Sequence, residues 1–192
     1  LNGSTQYISV PTSRSLAIVG DMSMVFWLKY SAWNWHMLFT KTDGGNAAPY
    51  MAYVNAVRGT IEFWRGDGST GSYVESTNPG PTDAWYCAIV TMAGTMVRHY
   101  LNGAPNGSGT LSTVIDDAGG ALRLGNRPDG FWLGGQMANW RLYNRALLDA
   151  EVAQIYANPL IGARPQFQSY RLTQSFRPAW ASRSSQIIGG GP

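Results

Sequence analysis

The stretch Gly134–Tyr156, GGQMANWRLYNRALLDAEVAQIY, decides the fold. Its first half, GQMANWRLYN, mixes apolar and polar residues in the manner of a half-buried strand. In its second half Leu148, Val152, Ile155 and Tyr156 recur at i, i+4, i+7 and i+8, which is one face of a helix. Asn158-Pro159 then stops that helix, because the residue before a proline avoids the helical region. The pattern predicts one short helix packed on the edge of a β-sandwich.

Upstream the chain is a series of short apolar-alternating runs. DMSMVFWLKY is the clearest, with Met22, Met24, Phe26 and Leu28 on one face by the two-residue period. QYISV, HMLFTK, YMAYVN, TIEFWR, SYVES, WYCAIVTM, MVRHYL and ALRLGN follow the same rule. Between them lie TDGGN, RGDGSTGS, NPGPTD, MAGT, NGAPNGSG, DDAGG and RPDG, read as turns and loops, with Asn102-Gly103 a hairpin signal. Aromatics at 12%, and 23 glycines in 192 residues, favour strands joined by tight turns over helices. The expected fold is all-β, an antiparallel sandwich or jelly roll with one C-terminal helix.

Charged residues make up only 13% of the chain, and they divide unevenly. Residues 1–158 carry ten bases and eleven acids, whereas residues 159–192 carry four arginines and no acid. The body is nearly neutral and the basic balance belongs to the tail. That tail has neither helical nor strand periodicity, is broken by Pro159, Pro165 and Pro178, and ends in Gly189, Gly190 and Gly191. It is read as an extended arm, in which SSQII is a segment fit to add to a sheet edge. Its arginines (Arg164, Arg171, Arg177, Arg183) alternate with Phe167, Tyr170, Phe176 and Trp180 instead of clustering. This is the chemistry of a protein interface and not of a phosphate track, so no nucleic-acid partner is expected.

Cys87 is the only cysteine, so no intrachain disulfide is expected, and its place in WYCAIV predicts a buried, inert thiol. No secretory leader pattern and no membrane-length apolar run occurs in the sequence, and no membrane partner is expected.

Several blocks together resemble the laminin G-like, concanavalin A-like jelly-roll family. They are LNGSTQYISV, MVFWLKY, WYCAIVTMAGTMVRHYLNG, LRLGN and, most specifically, GGQMANWRLYNRALLDAEVAQIY. The resemblance implies a jelly roll over residues 1–158, followed by the arm at 159–192. The family often carries acids in its opening turn and an aspartate pair before Arg-[LIV]-Tyr. Here Asn2, Thr5-Gln6 and Ala138-Asn139 stand at those positions, which argues against the calcium site of some relatives. Asp43, Asp116 and Asp117 are read as turn residues. No metal or cofactor is expected.

No catalytic pattern stands out. Glu62 and Glu75 are read as isolated, each on the solvent face of its own strand, so the paired carboxyls of a glycosidase are missing and the protein is expected not to be an enzyme. His99 is read as a satisfied, half-buried imidazole, and Arg65-Gly66-Asp67 as a glycine-rich turn. Trp33, Trp35, Trp64 and Trp132 lie near loops or turns and are the candidate sugar contacts, since exposed aromatic faces stack on sugar rings.

The IYANP junction and the arm resemble phage virion proteins that carry this jelly roll. The resemblance implies a decoration (cement) protein on a tailed-phage capsid. It would be assembled in the host cytoplasm, displayed on the virion surface, and held by its arm to the major capsid protein and neighbouring copies, with a trimer expected of the class. The other reading is a carbohydrate-binding or adhesion module.

Overall fold

The computed structural model describes residues 1–41, 48–111 and 120–161, which belong to one unit, Leu1–Gly162. Its strands are β1 (Ile8–Val10), β2 (Met22–Lys29), β3 (His36–Lys41), β4 (Met51–Val54), β5 (Ile61–Gly66), β6 (Gly71–Glu75) and β7 (Tyr86–Ala93). They continue as β8 (Met96–Leu101), β9 (Ala104–Thr110), β10 (Leu122–Leu124), β11 (Asn126–Arg127), β12 (Phe131–Trp132) and β13 (Gln136–Tyr143), and one helix, α1 (Asp149–Ala157), follows. A six-stranded sheet runs β1-β10-β3-β4-β5-β6 and a five-stranded sheet runs β13-β2-β7-β8-β9, with β11 and β12 a small separate hairpin. The strand pairs are antiparallel, as the jelly-roll reading requires.

The two-residue period of the sequence builds the core directly. Met22, Met24, Phe26 and Leu28 of β2 are fully buried between the sheets. They join Tyr86, Ala88, Val90 and Met92 of β7 and, from the opposite sheet, Leu38, Phe39, Ala52, Val54, Ile61 and Phe63. Phe26 stacks on Phe39 across the gap at 5.4 Å between ring centroids.

Helix α1 lies on the outer face of the five-stranded sheet and not on its edge. Val152 and Ile155 pack with Val25, Cys87, Ile89 and Tyr100. The alternate positions of β2 and β7 are themselves apolar, so this sheet has two faces to cover. Leu148, expected on the apolar face, is 69% exposed, and Leu147 takes the buried place. Leu148 precedes the helix, and its backbone N–H donates to Glu151 Oε2 at 2.9 Å. Tyr156 instead stacks on Trp27 at 5.9 Å. Cys87 is buried as expected, and burial pushes its thiol up to about 12.

NGAPNGSG is not a loop. After the Asn102-Gly103 turn, with φ of 50° and 79°, the chain returns as β9. β9 is an edge strand, where Pro105 and Gly107 cost little, and this is why turn-type residues hide a strand. His99 is fully buried, not half-buried: it is 2% exposed and its Nε2 bonds Val74 O at 3.0 Å. Since Val74 is on β6 and His99 on β8, this bond joins the two sheets. No helix among the described residues is long and apolar enough to cross a membrane. The arm positions Arg164, Phe167, Tyr170, Arg171, Phe176, Arg177, Trp180 and Arg183 lie outside the described residues, as do Asp43, Asp116 and Asp117.

Candidate functional site

Strand register on the six-stranded sheet sorts residues into two sets. Ala52, Val54, Ile61 and Phe63 enter the core, so Met51, Tyr53, Glu62, Trp64, Tyr73 and Glu75 point to the outer face. Met51 pairs with Trp64 and Trp64 with Tyr73, while Tyr53 pairs with Glu62 and Glu62 with Glu75. Met37, Met51 and Tyr53 form a second apolar cluster there, with Trp64 and Phe131 against it.

At the β3 end of this face lies a pocket of about 310 Å³ lined by Trp35, Tyr53, Arg127 and Phe131. The Trp35 ring meets Tyr53 at 5.5 Å and 68°, and Phe131 at 6.5 Å and 86°. Trp35 is 40% exposed and has no face-to-face neighbour among the described residues. The Arg127 guanidinium lies 4.2 Å from the centre of the Phe131 ring, and its Nε donates to Asp129 Oδ1 at 2.6 Å. The β11–β12 hairpin that carries Arg127 and Phe131 turns at RPDG, so a turn signal in the sequence delivers two pocket walls.

The candidate tryptophans divide. Trp35 lines the pocket. Trp64 is stacked between Tyr53 (6.1 Å, 28°) and Tyr73 (4.5 Å, 23°), and its Nε1 donates to Glu62 Oε2 at 3.0 Å. Trp64 thus has a ring against each face and its N–H engaged. Trp33 is elsewhere: its ring lies against Gly59 and its Nε1 donates to Gly80 O at 3.2 Å. Gly59 (φ 68°) leaves the space for that ring, since a Cβ there would fall 2.4 Å from it. Trp132 makes an edge contact with Tyr7 at 6.0 Å, and Tyr7 in turn lies under Arg123.

Glu62 and Glu75 are not isolated. They face each other across β5 and β6, with Arg58 bonding Glu75 at 2.6 Å and approaching Glu62 at 3.6 Å. Glu62 is 4% exposed and also accepts from Asn55 Nδ2 at 2.7 Å, while Thr60 donates to Glu75. The period-two count put each acid on an outer face but gave no hint of the strand pairing that joins them. The buried carboxylate raises the neighbouring Tyr53 hydroxyl pKa further above its ordinary value, after burial itself.

The other polar candidates are structural. Arg65 of the Arg-Gly-Asp tripeptide is fully buried, donating to Ile18 O at 2.7 Å and to Met22 Sδ, so the tripeptide cannot be presented to a receptor. Asp67 accepts from the Ser69 and Thr70 backbone N–H groups and closes a turn. His36 receives the Gly134 N–H on Nδ1 at 3.3 Å, which leaves its proton on Nε2 for Ala32 O at 2.9 Å. Burial holds its pKa below the usual histidine value. Asn2 accepts from the backbone of Ser4, Thr5 and Gln6, so the opening turn is closed by an amide. No group of three or more metal-ligating side chains occurs among the described residues.

The fold recurs in solved structures. Domain 4 of AbnA, a GH43 extracellular arabinanase from Geobacillus stearothermophilus, in complex with arabinotriose, aligns with a TM-score of 0.63 at 23% identity, covering 81% of this chain and 74% of that one. A native heptameric SAP-like pentraxin from Limulus polyphemus aligns with a TM-score of 0.54 at 18% identity, covering 78% and 81%. The binding domain of botulinum neurotoxin serotype G aligns at 0.63 and 12% identity, covering 82% of this chain and 41% of that one. At these identities the likeness concerns the fold alone. No curated protein matches the sequence. Residues 2–153 match the family described as the concanavalin A-like lectin/glucanases superfamily, and that match, over a jelly roll with both sheets in place, makes the chain a member of it.

Proposed function

We propose that the domain is a non-catalytic saccharide-binding module whose ligand sits among Trp35, Tyr53, Phe131 and Arg127. The observation that carries this reading is the pocket itself: three aromatic walls and a guanidinium around about 310 Å³. Aromatic faces take the apolar C–H side of a sugar ring, and Arg127, held to Asp129 and over Phe131, fixes one aromatic wall in place. The neighbouring carboxylates are tied to each other through Arg58 and to Trp64 and Asn55, which suits a scaffold and not an acid–base pair. The arabinanase domain with its arabinotriose is a neighbour of the same fold, and it supports a saccharide ligand by analogy only.

The test is a glycan array followed by calorimetric titration of the best binder. Trp35→Ala is expected to lower affinity at least ~10-fold, the loss of one good stacking contact. An array without signal, or a Trp35→Ala protein that binds unchanged, overturns the reading.

A second reading concerns attachment. The four arginines and absence of acids beyond residue 158 favour an arm that fastens the domain to an acidic protein shell, in the sequence reading a tailed-phage capsid with neighbouring copies as co-partners. The two readings are compatible, since an arm can hold a domain while the domain holds a glycan. Co-sedimentation with particles, compared between the full chain and one cut after Asn158, tests it. A cut chain that stays folded by circular dichroism and still co-sediments fully overturns it.

A further inference from the structure

We infer that the pocket reads the terminal ring of a glycan, end-on, and does not bind an internal stretch of a long polysaccharide. This rests on the saccharide reading above and specifies its ligand.

A module that holds the interior of a polysaccharide needs a track: successive aromatic faces lying open to solvent, one for each of several sugar rings. The outer face of the six-stranded sheet has the rings for a track but in the wrong attitude. Tyr53, Trp64 and Tyr73 sit on three adjacent strands and face one another, with interplanar angles of 28° and 23°. Adjacent strands are ~4.8 Å apart, so rings stacked at 4.5 Å along that direction stand on edge from the sheet. Both faces of Trp64 are covered, and its one N–H is already bonded to Glu62, which Asn55 holds in turn. From β4 to β6, therefore, no open ring face continues the pocket among the described residues until the outer side of Tyr73.

On the pocket's far side the rings are engaged as well. Arg127 covers one face of Phe131, and beyond it Trp132 and Tyr7 meet edge to face under Arg123. What remains is a corner, formed where Trp35 meets Tyr53 and Phe131 at 68° and 86°. Its volume of about 310 Å³ lies at the bottom of the roughly 300–1,000 Å³ range of small-molecule pockets. The open ring faces are confined to this corner, so the sugar seated in it is held and the rest of the chain stays in water.

The experiment is isothermal titration of the intact protein with methyl monosaccharides and with gluco-, manno-, xylo- and arabino-oligosaccharides of one to six residues. For the sugar that binds, affinity per molecule is expected to stay within ~3-fold from the monosaccharide to the longest member. Affinity that rises ~10-fold or more with length overturns end-on recognition while leaving saccharide binding intact. Absence of binding by every member of the series and by a glycan array overturns the saccharide reading and this inference with it.

Discussion

Acid should loosen this protein through His99, by an amount that the structure sets. The imidazole is buried between the sheets, and burial lowers its pKa from 6.5 to about 4, outweighing the Val74 carbonyl bond and the nearby Glu75 charge, which act in the opposite direction. A folded-state pKa below the unfolded one means that the unfolded chain takes up the proton first as pH falls. The resulting stability is therefore complete above about pH 6.5 and is lost progressively down to about pH 4. At 1.36 kcal/mol per pKa unit the loss is ~3 kcal/mol, a large part of a typical ~5–15 kcal/mol. His99→Gln keeps an N–H for Val74 O and removes the titration. Urea melts followed by tryptophan fluorescence at pH 7, 6, 5 and 4 should show the wild type losing ~3 kcal/mol more than the variant across that range. Carboxylates and His36 titrate in both proteins and cancel in the difference. Parallel stability–pH curves for the two proteins would refute the argument.

Ile155→Ala should cost ~2–4 kcal/mol in the same urea assay, because it opens a cavity between α1 and the five-stranded sheet. Cys87 should resist a thiol reagent at pH 8 in the folded protein and react fully in urea, since burial holds its thiol up at about 12; reaction of the native protein at the unfolded rate would contradict the packing. Arg58→Ala should lower the melting temperature in low salt by leaving Glu62 opposite Glu75, and the deficit should shrink in 1 M NaCl as screening takes hold. A salt-independent deficit would point to lost packing instead.

Core positions were the most legible part of the sequence. Period two marked Met22, Met24, Phe26 and Leu28, and all four are buried, although Ser23 and Val25 on the opposite face are buried as well. Helix α1 was legible as an element but not in its seat, because an edge and a face demand the same apolar stripe. β9 was hidden by its own composition, since an edge strand tolerates glycine and proline that a central strand would not. Of the four tryptophans read near loops or turns, Trp35 lines the pocket. Tyr53, Phe131 and Arg127 were missed because each sits in a run that reads locally as plain strand or turn. Only the β3–β4 register and the RPDG hairpin bring them to Trp35. Trp64 carried the same sequence signal as Trp35 and has a different setting, because it has neighbours on both ring faces. Ring-face occupancy is a cross-strand property, invisible to any window along the chain.

The hydrogen-bonded set of Asn55, Glu62 and Trp64, with Tyr53 and Tyr73 against the indole, bears on how such a protein can change. Outer-face positions alternate with core positions along β4 and β5, so the surface proposed to meet a ligand is in principle free to be rewritten while the interior stays fixed. The buried carboxylate removes that freedom from part of the face. A new residue at Glu62 strands two donors, and a smaller one at Trp64 unseats a ring on each side. Diversification, in a laboratory library or in descent, should therefore concentrate on Trp35, Phe131 and the β11–β12 turn. The middle of the sheet should change only in concerted steps, several residues at once.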